Sequence, residues 1–418
     1  MKIMVIGSGG REHSIIWKLS QSPKVSKIYC APGNAGISRL AECVNIKPSD
    51  INGLKFFVQN HDVDLTIVGP EVPLVNGIVN EFEKLGLKIF GPDFQSSRLE
   101  GSKIFAKRVM KTFNIPTADF MLFDDPYTAK KMIEFMNQPL VIKADGLAGG
   151  KGVFVCDGKE DGIEAVDKIT VQKIFGDAGN FIVVEKRLEG IEMSFMAFTD
   201  GGFIVPMPVT RDYKKLSKND NRNTGGVACY GPVDIDEKLY DEIIDTIMAP
   251  LIAGLSKQGI VYKGVIYAGL MIDKNNKPKV LEFNCRFGDA ECQILMSLLE
   301  TDLIDIIEAI EKQKLNKIEV KWKDKSVVCV VPYSKGYPDS YEIGKEIFGL
   351  DNEYIDTQIF HSGTKLDNNK IVSNGGRVLS ITSIGNSLQN ARDKVYYCID
   401  NINFDGMCYR KDILIGNS

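Results

Sequence analysis

The sequence predicts a multidomain chain of mixed α/β and α+β class, opened by a doubly wound parallel sheet. Three observations carry this. Over residues 1 to about 101, apolar strand-like runs alternate with helix-like segments, the β-loop-α rhythm of a parallel sheet. Several of these strands end in Gly or Pro, at Gly7, Pro32-Gly33, Gly69-Pro70 and Gly91-Pro92. Tight loops are thereby placed at the carboxyl edge, where such sheets bind ligands. Finally, 418 residues at roughly 150 per domain make about three domains.

In order, strands are expected at 2–6, 27–30, 64–68 and 87–90, with helices at 11–21, 50–60 and 76–84. A helix over 101–113 follows, with Phe105, Val109 and Phe113 on one face, and Pro116 stops it. Residues 117–187 read as a compact unit: strand, helix 126–136, strand 140–143, a glycine-rich loop, strand 152–156, helix, strand 181–185. From 188 to 318 come longer strands, a long helix near 236–258, and strands 264–273 and 279–284 joined by the turn Lys274-Asn275-Asn276-Lys277-Pro278. A helical region, 290–314, closes this part, and the lysine-rich stretch 314–325 reads as a linker. Residues 326–418 read as a small α+β unit with strand 327–331, an Asn374-Gly375-Gly376 turn and helix 388–402. The expected domains are 1–101, 102–318 with a subdomain at about 117–187, and 322–418.

Composition excludes several function classes. Glycine, 39 of 418 residues, exceeds the usual share of about 7% while proline does not rise with it. The excess therefore points to tight turns or backbone brought close to ligands. The net charge of −4 offers no global attraction to nucleic acid or anionic membrane. Nine cysteines, an odd number with no C-x-x-C pair, argue against a disulfide framework or a cysteine zinc site. His13, His61 and His361 lie far apart, so any metal is expected to be hard and held by oxygen. The opening apolar run is too short for a signal peptide and no run of about 18 apolar residues occurs. Reduced thiols then favour the cytoplasm.

Three motifs carry chemistry. Gly7-Ser8-Gly9-Gly10-Arg11-Glu12-His13 joins a strand to a helix start, which offers backbone N–H groups to an anion. It departs from the dinucleotide fingerprint G-x-G-x-x-G at Glu12, and no acid ends the second strand at Ala31-Pro32-Gly33-Asn34. A small phosphorylated ligand and a ligand-free β–α turn both stay open here. In Val141-Ile142-Lys143-Ala144-Asp145-Gly146-Leu147-Ala148-Gly149-Gly150-Lys151-Gly152, two lysines flank a loop with four glycines between two strands. That pattern suits a hairpin folded over a triphosphate better than a bare surface hairpin. In Leu281-Glu282-Phe283-Asn284-Cys285-Arg286-Phe287-Gly288-Asp289-Ala290-Glu291, the period of two puts Glu282 and Asn284 on one strand face. A carboxylate and an amide oxygen there suit Mg²⁺, and Arg286 could neutralise a transferring phosphoryl group. Two lesser features are Val184-Glu185-Lys186-Arg187-Leu188, by default an ordinary charged strand end, and a polar loop bracketed by Thr210–Lys214 and Asn223-Thr224-Gly225-Gly226.

Taken together, in order along the chain, these segments resemble the phosphoribosylamine–glycine ligase family of the ATP-grasp superfamily. Asp64–Glu71, Glu100-Gly101-Ser102-Lys103, Phe360–Lys365 and Asn374–Val378 extend the resemblance across essentially the whole chain. It implies a Rossmann-like N-terminal domain without dinucleotide, an ATP-grasp core with a lid subdomain, and a C-terminal domain. It implies ATP, glycine and 5-phosphoribosylamine as substrates, a glycyl phosphate intermediate, and glycinamide ribonucleotide, ADP and phosphate as products of this purine-biosynthetic step. By position, Lys103, Lys143 and Lys151 would meet the ATP phosphates and the loop with Gly146, Gly149, Gly150 and Gly152 would cover them. Glu185, Lys186 and Leu188 would line the adenine site and Glu192 would hold the ribose. Glu282 and Asn284 would hold Mg²⁺ or Mn²⁺. Arg286, Asp289 and Asp212 would serve the acyl site, with Asn223, Thr224, Gly225, Gly226 and Gly288 around it. Gly9, Gly10, Arg11, Pro32, Gly33 and Asn34 would take the ribose phosphate. Lys186-Arg187, Tyr213 and Ala290 depart from the family pattern, which leaves adenine to be read mainly by backbone. The resemblance implies no nucleic-acid or membrane partner, a monomer or weak dimer, and transient contact with the preceding pathway enzyme. Rival readings are a carboxylase or formate-using ATP-grasp enzyme, and an ATP-binding regulator without turnover.

Overall fold

The computed structural model describes residues 1–136, 138–149, 151–217, 220 and 222–415. Apolar strand Lys2–Gly7 forms the centre of the first sheet because its side chains are buried on both faces. It lies between Lys27–Pro32 and Leu65–Val68, with Glu42–Cys43 and Ile89–Phe90 outermost, all parallel. Helices Gly10–Leu19 and Ile51–Asn60 are crossover helices of this layer. Short strand Glu42–Cys43 and helix Glu71–Val75 are additions to the expected set, and the expected helix 76–84 is Ile78–Glu83.

The expected helix 101–113 is found over Lys103–Thr112, and Ser102 separates it from a further helix, Phe94–Gly101. The Ser102 backbone is extended, and its hydroxyl caps helix Lys103–Thr112 by accepting from the Phe105 N–H. Beyond it stands an antiparallel sheet in the order Phe120–Phe123, Ile182–Lys186, Leu140–Ala144, Val153–Cys156, backed by helices Pro126–Glu134 and Lys159–Val166. This is the lid unit.

A second antiparallel sheet, Ile204–Pro206, Ile191–Thr199, Gly264–Ile272 and Pro278–Asn284, forms the floor under the lid. The region 290–314 is two helices, Glu291–Leu298 and Leu303–Glu311, because Leu299 turns extended and Asp302 caps the second. A third sheet runs Arg211–Lys215, Asn223–Gly231, Ser326–Val330, Leu379–Gly385, Thr357–His361. It hydrogen-bonds two strands from the 211–231 segment to three from beyond residue 325, so the middle and C-terminal parts share one layer. Among the described residues no helix is long and apolar enough to cross a membrane.

Candidate functional site

The lid sheet and the floor sheet face each other across a cleft, and the lysines lie where they meet. Strand Leu140–Ala144 delivers Lys143, whose ammonium bonds Leu281 O at 2.9 Å and Glu185 Oε2 at 3.0 Å. Glu185 Oε1 meets Lys107 at 2.9 Å, and Lys107 also donates to Thr117 Oγ1 at 2.7 Å. All three charged groups are buried. Glu185 is thus a keystone between two lysines. Burial draws Lys107 down to about 8, against the raising effect of Glu185. Lys103 opens its helix beside this group and donates to Gly146 O at 3.4 Å. The Asp145 carboxylate accepts from the Ile104 N–H at 2.8 Å and the Ser102 hydroxyl at 3.0 Å, tying the lid loop to that helix.

In the lid loop Gly149 has φ +56° and an added Cβ would meet nothing. At Gly146 it would crowd Ala178, and at Gly152 Ala148. Gly150 lies outside the described residues. Lys151 reaches away from the lysine cluster and bonds Pro338 O at 2.9 Å. At the hinge, Lys186, Arg187 and Leu188 border a cavity of about 310 Å³ with Pro139, Met271 and Lys279. The Lys186 and Arg187 amides are taken by Asp119 O and Pro139 O, at 3.0 and 3.1 Å. Among the described residues nothing takes the Leu188 N–H. Glu192 pairs with Lys214 at 3.5 Å.

Glu282 lies on the floor strand opposite Gly269, and no hydrogen bond or ion pair among the described residues engages its carboxylate. Burial works to raise its pKa, yet Lys214, Lys143, Lys103 and Arg286 together hold it below the ordinary glutamate value. Asn284 Oδ1 receives only a 3.3 Å bond from Arg286 Nη2. An ionised carboxylate without a partner, beside a weakly engaged amide oxygen, fits a hard divalent cation that takes its other ligands from phosphate and water. No cluster of three or more His, Cys, Asp or Glu suited to a metal occurs among the described residues.

The strand stops at Asn284, and Arg286 is held by Glu100 at 2.7 Å and Glu71 at 3.3 Å. Arg11 Nη1 and Arg286 Nη1 both donate to Phe287 O at 3.1 Å. Asp289 accepts from Arg377 Nη2 at 3.0 Å and Gln293 Nε2 at 2.6 Å. Burial opposes its ionisation, but Arg377 leads the groups that hold its pKa low. Arg377 also donates to the carbonyls of Gly225, Gly226 and Asp289, which pins the 223–226 segment against Asp289. Thr224 Oγ1 donates to Lys214 O at 2.6 Å and accepts from the Gly226 N–H at 3.1 Å. Asn223 opens the same strand. Gly226, at φ +94°, would set a Cβ 3.7 Å from Asp212 Oδ2. Burial pushes Asp212 up to about 7, opposed by Lys214 and aided by Glu291, Glu192 and Glu282. Gly288 leaves the room that Glu291 fills, and the Glu291 carboxylate accepts from Tyr267 at 2.8 Å and Ser194 at 3.0 Å.

The N-terminal loops converge on the same place but spend their donors internally. Glu12 takes the Gly9 N–H at 2.6 Å and pairs with Arg11 at 2.7 Å. A Cβ at Gly7, Gly9 or Gly69 would crowd the Glu12 side chain, so this acid plugs the room that a dinucleotide loop leaves open. Asn34 donates to Ser8 O and His361 O at 2.8 Å and accepts the Gly36 and Ile37 amides at 2.9 Å. A Cβ at Gly10 would meet Gln293, Ser362 and Ser380, and one at Gly33, which follows Pro32, would meet Cys43. These residues frame the site and join it to the C-terminal part.

Three descriptions match in succession: phosphoribosylglycinamide synthetase N domain over residues 1–100, its ATP-grasp (A) domain over 101–292, and its C domain over 327–415. The chain belongs to the phosphoribosylglycinamide synthetase family. It is 49% identical to a phosphoribosylamine–glycine ligase of Caldanaerobacter subterraneus subsp. tengcongensis, with all of both chains covered. The crystal structure of phosphoribosylamine–glycine ligase from Thermotoga maritima superposes with a TM-score of 0.87 at 33% identity, covering 99% of this chain and 100% of that one. Biotin carboxylase from Campylobacter jejuni shares the fold at a TM-score of 0.76 and 15% identity, covering 98% and 93%. Membership of the synthetase family makes this chain an ATP-grasp ligase of purine biosynthesis.

Sequence reasoning passed over several synthetase residues that the structure brings into the cluster. Lys107 stands four residues after Lys103 on one helix, a spacing that puts both on one face and could have revealed it. Glu71 and Glu100 lie in segments already singled out, but nothing local shows that both grip Arg286. Arg377 comes from the segment just before strand Leu379–Gly385, far from its partner Asp289 in sequence.

Proposed function

We propose that this enzyme uses ATP to phosphorylate the carboxylate of glycine and passes the glycyl group to 5-phosphoribosylamine. The observation that carries the reading is the convergence of Lys103, Lys143, the partnerless Glu282 and the braced Arg286 on one cleft between lid and floor. In the first step a glycine carboxylate oxygen attacks the γ-phosphorus and ADP leaves. In the second the amine nitrogen attacks the acyl carbon, the C–O bond to phosphate breaks, and the nitrogen sheds a proton. A carboxylate is a poor acyl donor, and phosphorylation supplies the leaving group.

Lys103 and Lys143 hold the phosphates, with the lid glycines above. The Leu188 amide reads an adenine edge in the hinge cavity, and Glu192 takes the ribose. Arg286, kept cationic by Glu71 and Glu100, balances charge on the transferring group. Asp212, poised at about 7, takes the proton of the attacking amine. Glu282 and Asn284 would hold Mg²⁺ or Mn²⁺, which when bound would supply charge neutralisation at the phosphate oxygens. The ribose phosphate belongs at the carboxyl edge of the parallel sheet, with Arg11 and Asn34 as its buried frame. We place the enzyme in the cytoplasm as a monomer or weak dimer, in transient contact with the enzyme that supplies the amine. The experiment is ADP release with ATP, Mg²⁺, glycine and freshly generated phosphoribosylamine. Equal ADP release when bicarbonate or formate replaces glycine would reject the reading.

A further inference from the structure

A turn of the C-terminal part, residues 336–341, touches both halves of the reaction cleft. Lys151 of the ATP lid donates to Pro338 O at 2.9 Å. Arg222 pairs with Asp339 at 2.6 Å. The Gly225 N–H donates to the Tyr337 hydroxyl at 3.2 Å. The 223–226 segment is the one that Arg377 pins against Asp289.

The turn itself is rigidly built. Gly336 takes φ +94°, and a Cβ there would overlap Ser340 O, so glycine is required for the tight reversal. The Tyr337 N–H bonds Ser334 O at 3.1 Å and the Asp339 N–H bonds Gly336 O at 3.0 Å. The base is anchored by Ser334 N–H on Gly376 O and Lys335 N–H on Gly406 O, both at 2.8 Å. The Tyr337 ring lies against Gly376, where any Cβ would strike it, and contacts the rings of Tyr333 and Tyr341 at 6.0 and 6.1 Å. By contrast, among the described residues, the contacts it makes outward are sparse: one lysine to a carbonyl, one exposed ion pair, one hydroxyl. A firm base with weak outward contacts is what a reversible catch needs. The lid itself holds the turn through one lysine-to-carbonyl hydrogen bond among the described residues, so little has to break for the lid to leave.

We propose that the 336–341 turn is the catch on which the ATP lid closes, and that Tyr337 is a positioning residue coupling closure to the acyl-site segment at Gly225. The inference rests on the glycyl phosphate route above. That intermediate is open to water: attack by water would regenerate glycine and release phosphate, so the net reaction would be ATP and water to ADP and phosphate. A lid latched through the acyl-site segment stays shut while the acyl phosphate waits for the amine, which excludes that water.

Tyr337→Phe removes the hydroxyl and keeps the packed ring, so the fold is preserved. The readout is moles of ADP formed per mole of glycinamide ribonucleotide, with ATP, Mg²⁺, glycine and fresh phosphoribosylamine. The unaltered enzyme is expected near one, and Tyr337→Phe, alone or with Asp339→Asn, at about threefold or more above it. A second arm needs no turnover: limited proteolysis of the 144–153 loop with Mg²⁺ and a non-hydrolysable ATP analogue. Protection in the unaltered enzyme and its loss in the double variant are expected. A ratio that stays at one together with undiminished protection overturns the proposal, as does a fall in kcat with neither readout moved. Were glycine-dependent ADP release itself absent, the assigned reaction would fail, and the proteolysis arm would still judge the catch.

Discussion

Glu185→Gln separates two roles for one residue. The substitution keeps shape and removes charge, leaving Lys107 and Lys143 facing each other where the carboxylate held them at 2.9 and 3.0 Å. Glu185 is 2% exposed, so water does not replace it. Breaking a buried pair by removing one partner costs about 3–5 kcal/mol, here shared between two contacts. Part of that loss falls on the fold and part on the position of Lys143. If about 2 kcal/mol of phosphate positioning is lost, kcat/KM for ATP falls about 30-fold. The defect should also depend on pH. Lys107 titrates at about 8 with Glu185 raising it, so without Glu185 it drops further and is neutral at pH 8. Lowering the pH restores its charge but not its partner, so the pH dependence of ATP use moves to lower pH in the variant, whereas in the parent the same lysine titrates near 8. The assay is ADP release against ATP concentration from pH 6.5 to about 9, with urea unfolding alongside. A Glu185→Gln enzyme with unchanged stability and a pH-independent loss of ATP-over-GTP preference would refute the keystone and restore an adenine contact.

Glu282→Gln should remove metal-dependent turnover, by about a thousandfold or more, while circular dichroism stays unchanged; near-normal activity in a Mg²⁺ titration would reject its ligand role. Gly149→Val places a β-branched residue at φ +56°, a cost of about 1–2 kcal/mol. Because a Cβ there meets nothing, the expected rise in the KM for ATP comes from lid backbone and not from crowding, and Gly149→Asn, which tolerates that region, should recover most of it. Acid should loosen the junction at His13 and His361, whose pKa values burial lowers to about 3 and about 4. His13 Nδ1 accepts the His361 N–H at 2.8 Å, which only the neutral ring can do. With folded values below the unfolded 6.5, the unfolded chain binds more protons as pH falls from 6.5 towards 4, so stability is lost in that window, by up to about 2 kcal/mol per histidine at pH 5. His13→Gln should reduce the difference in urea midpoint between pH 7 and pH 5; an unchanged difference would exclude His13 as its source.

The parallel sheet was legible because its signals are local: apolar runs of strand length, turn residues after them, and helical periodicity between. What escaped was non-local. Arg211–Lys215 and Asn223–Gly231 read as the borders of a polar loop, since the first is charged and only half-buried. Their strand character comes from pairing with each other and with Ser326–Val330, about a hundred residues on. The break at Ser102 had a local sign, a serine with the right offset to cap, but the apolar periodicity of 105, 109 and 113 concealed it. At the site, residue types were readable and pairings were not. Glu185 stood at a charged strand end, and only the sheet register brings it beside Lys143 on the neighbouring strand and Lys107 on the helix. The N-terminal loops were readable as turns, but their donors being used internally depends on Asn34 reaching His361 across the molecule.

The pairings also explain how an acidic chain can hold anionic substrates. Lys143 has Glu185, Arg286 has Glu71 and Glu100, and Asp289 has Arg377. Lys143 and Arg286, which would meet the transferring phosphate, are already desolvated and braced by carboxylates, so they need not be reorganised when the substrate's charge arrives. With Lys107 sharing Glu185, four acids brace four cations, which is why the cluster requires no net basicity from the chain. Glu282 breaks the pattern: four cations lower its pKa, yet none contacts it. A carboxylate kept ionised at a distance, with its oxygens unspent, is matched to a positive charge that the protein does not itself supply. The same logic separates Asp212, which burial raises to about 7 beside three other carboxylates. On the proposed mechanism one acid of the cleft would stay charged and the other would gain and lose a proton near neutrality, a division that metal-assisted phosphoryl transfer followed by attack of an amine would use.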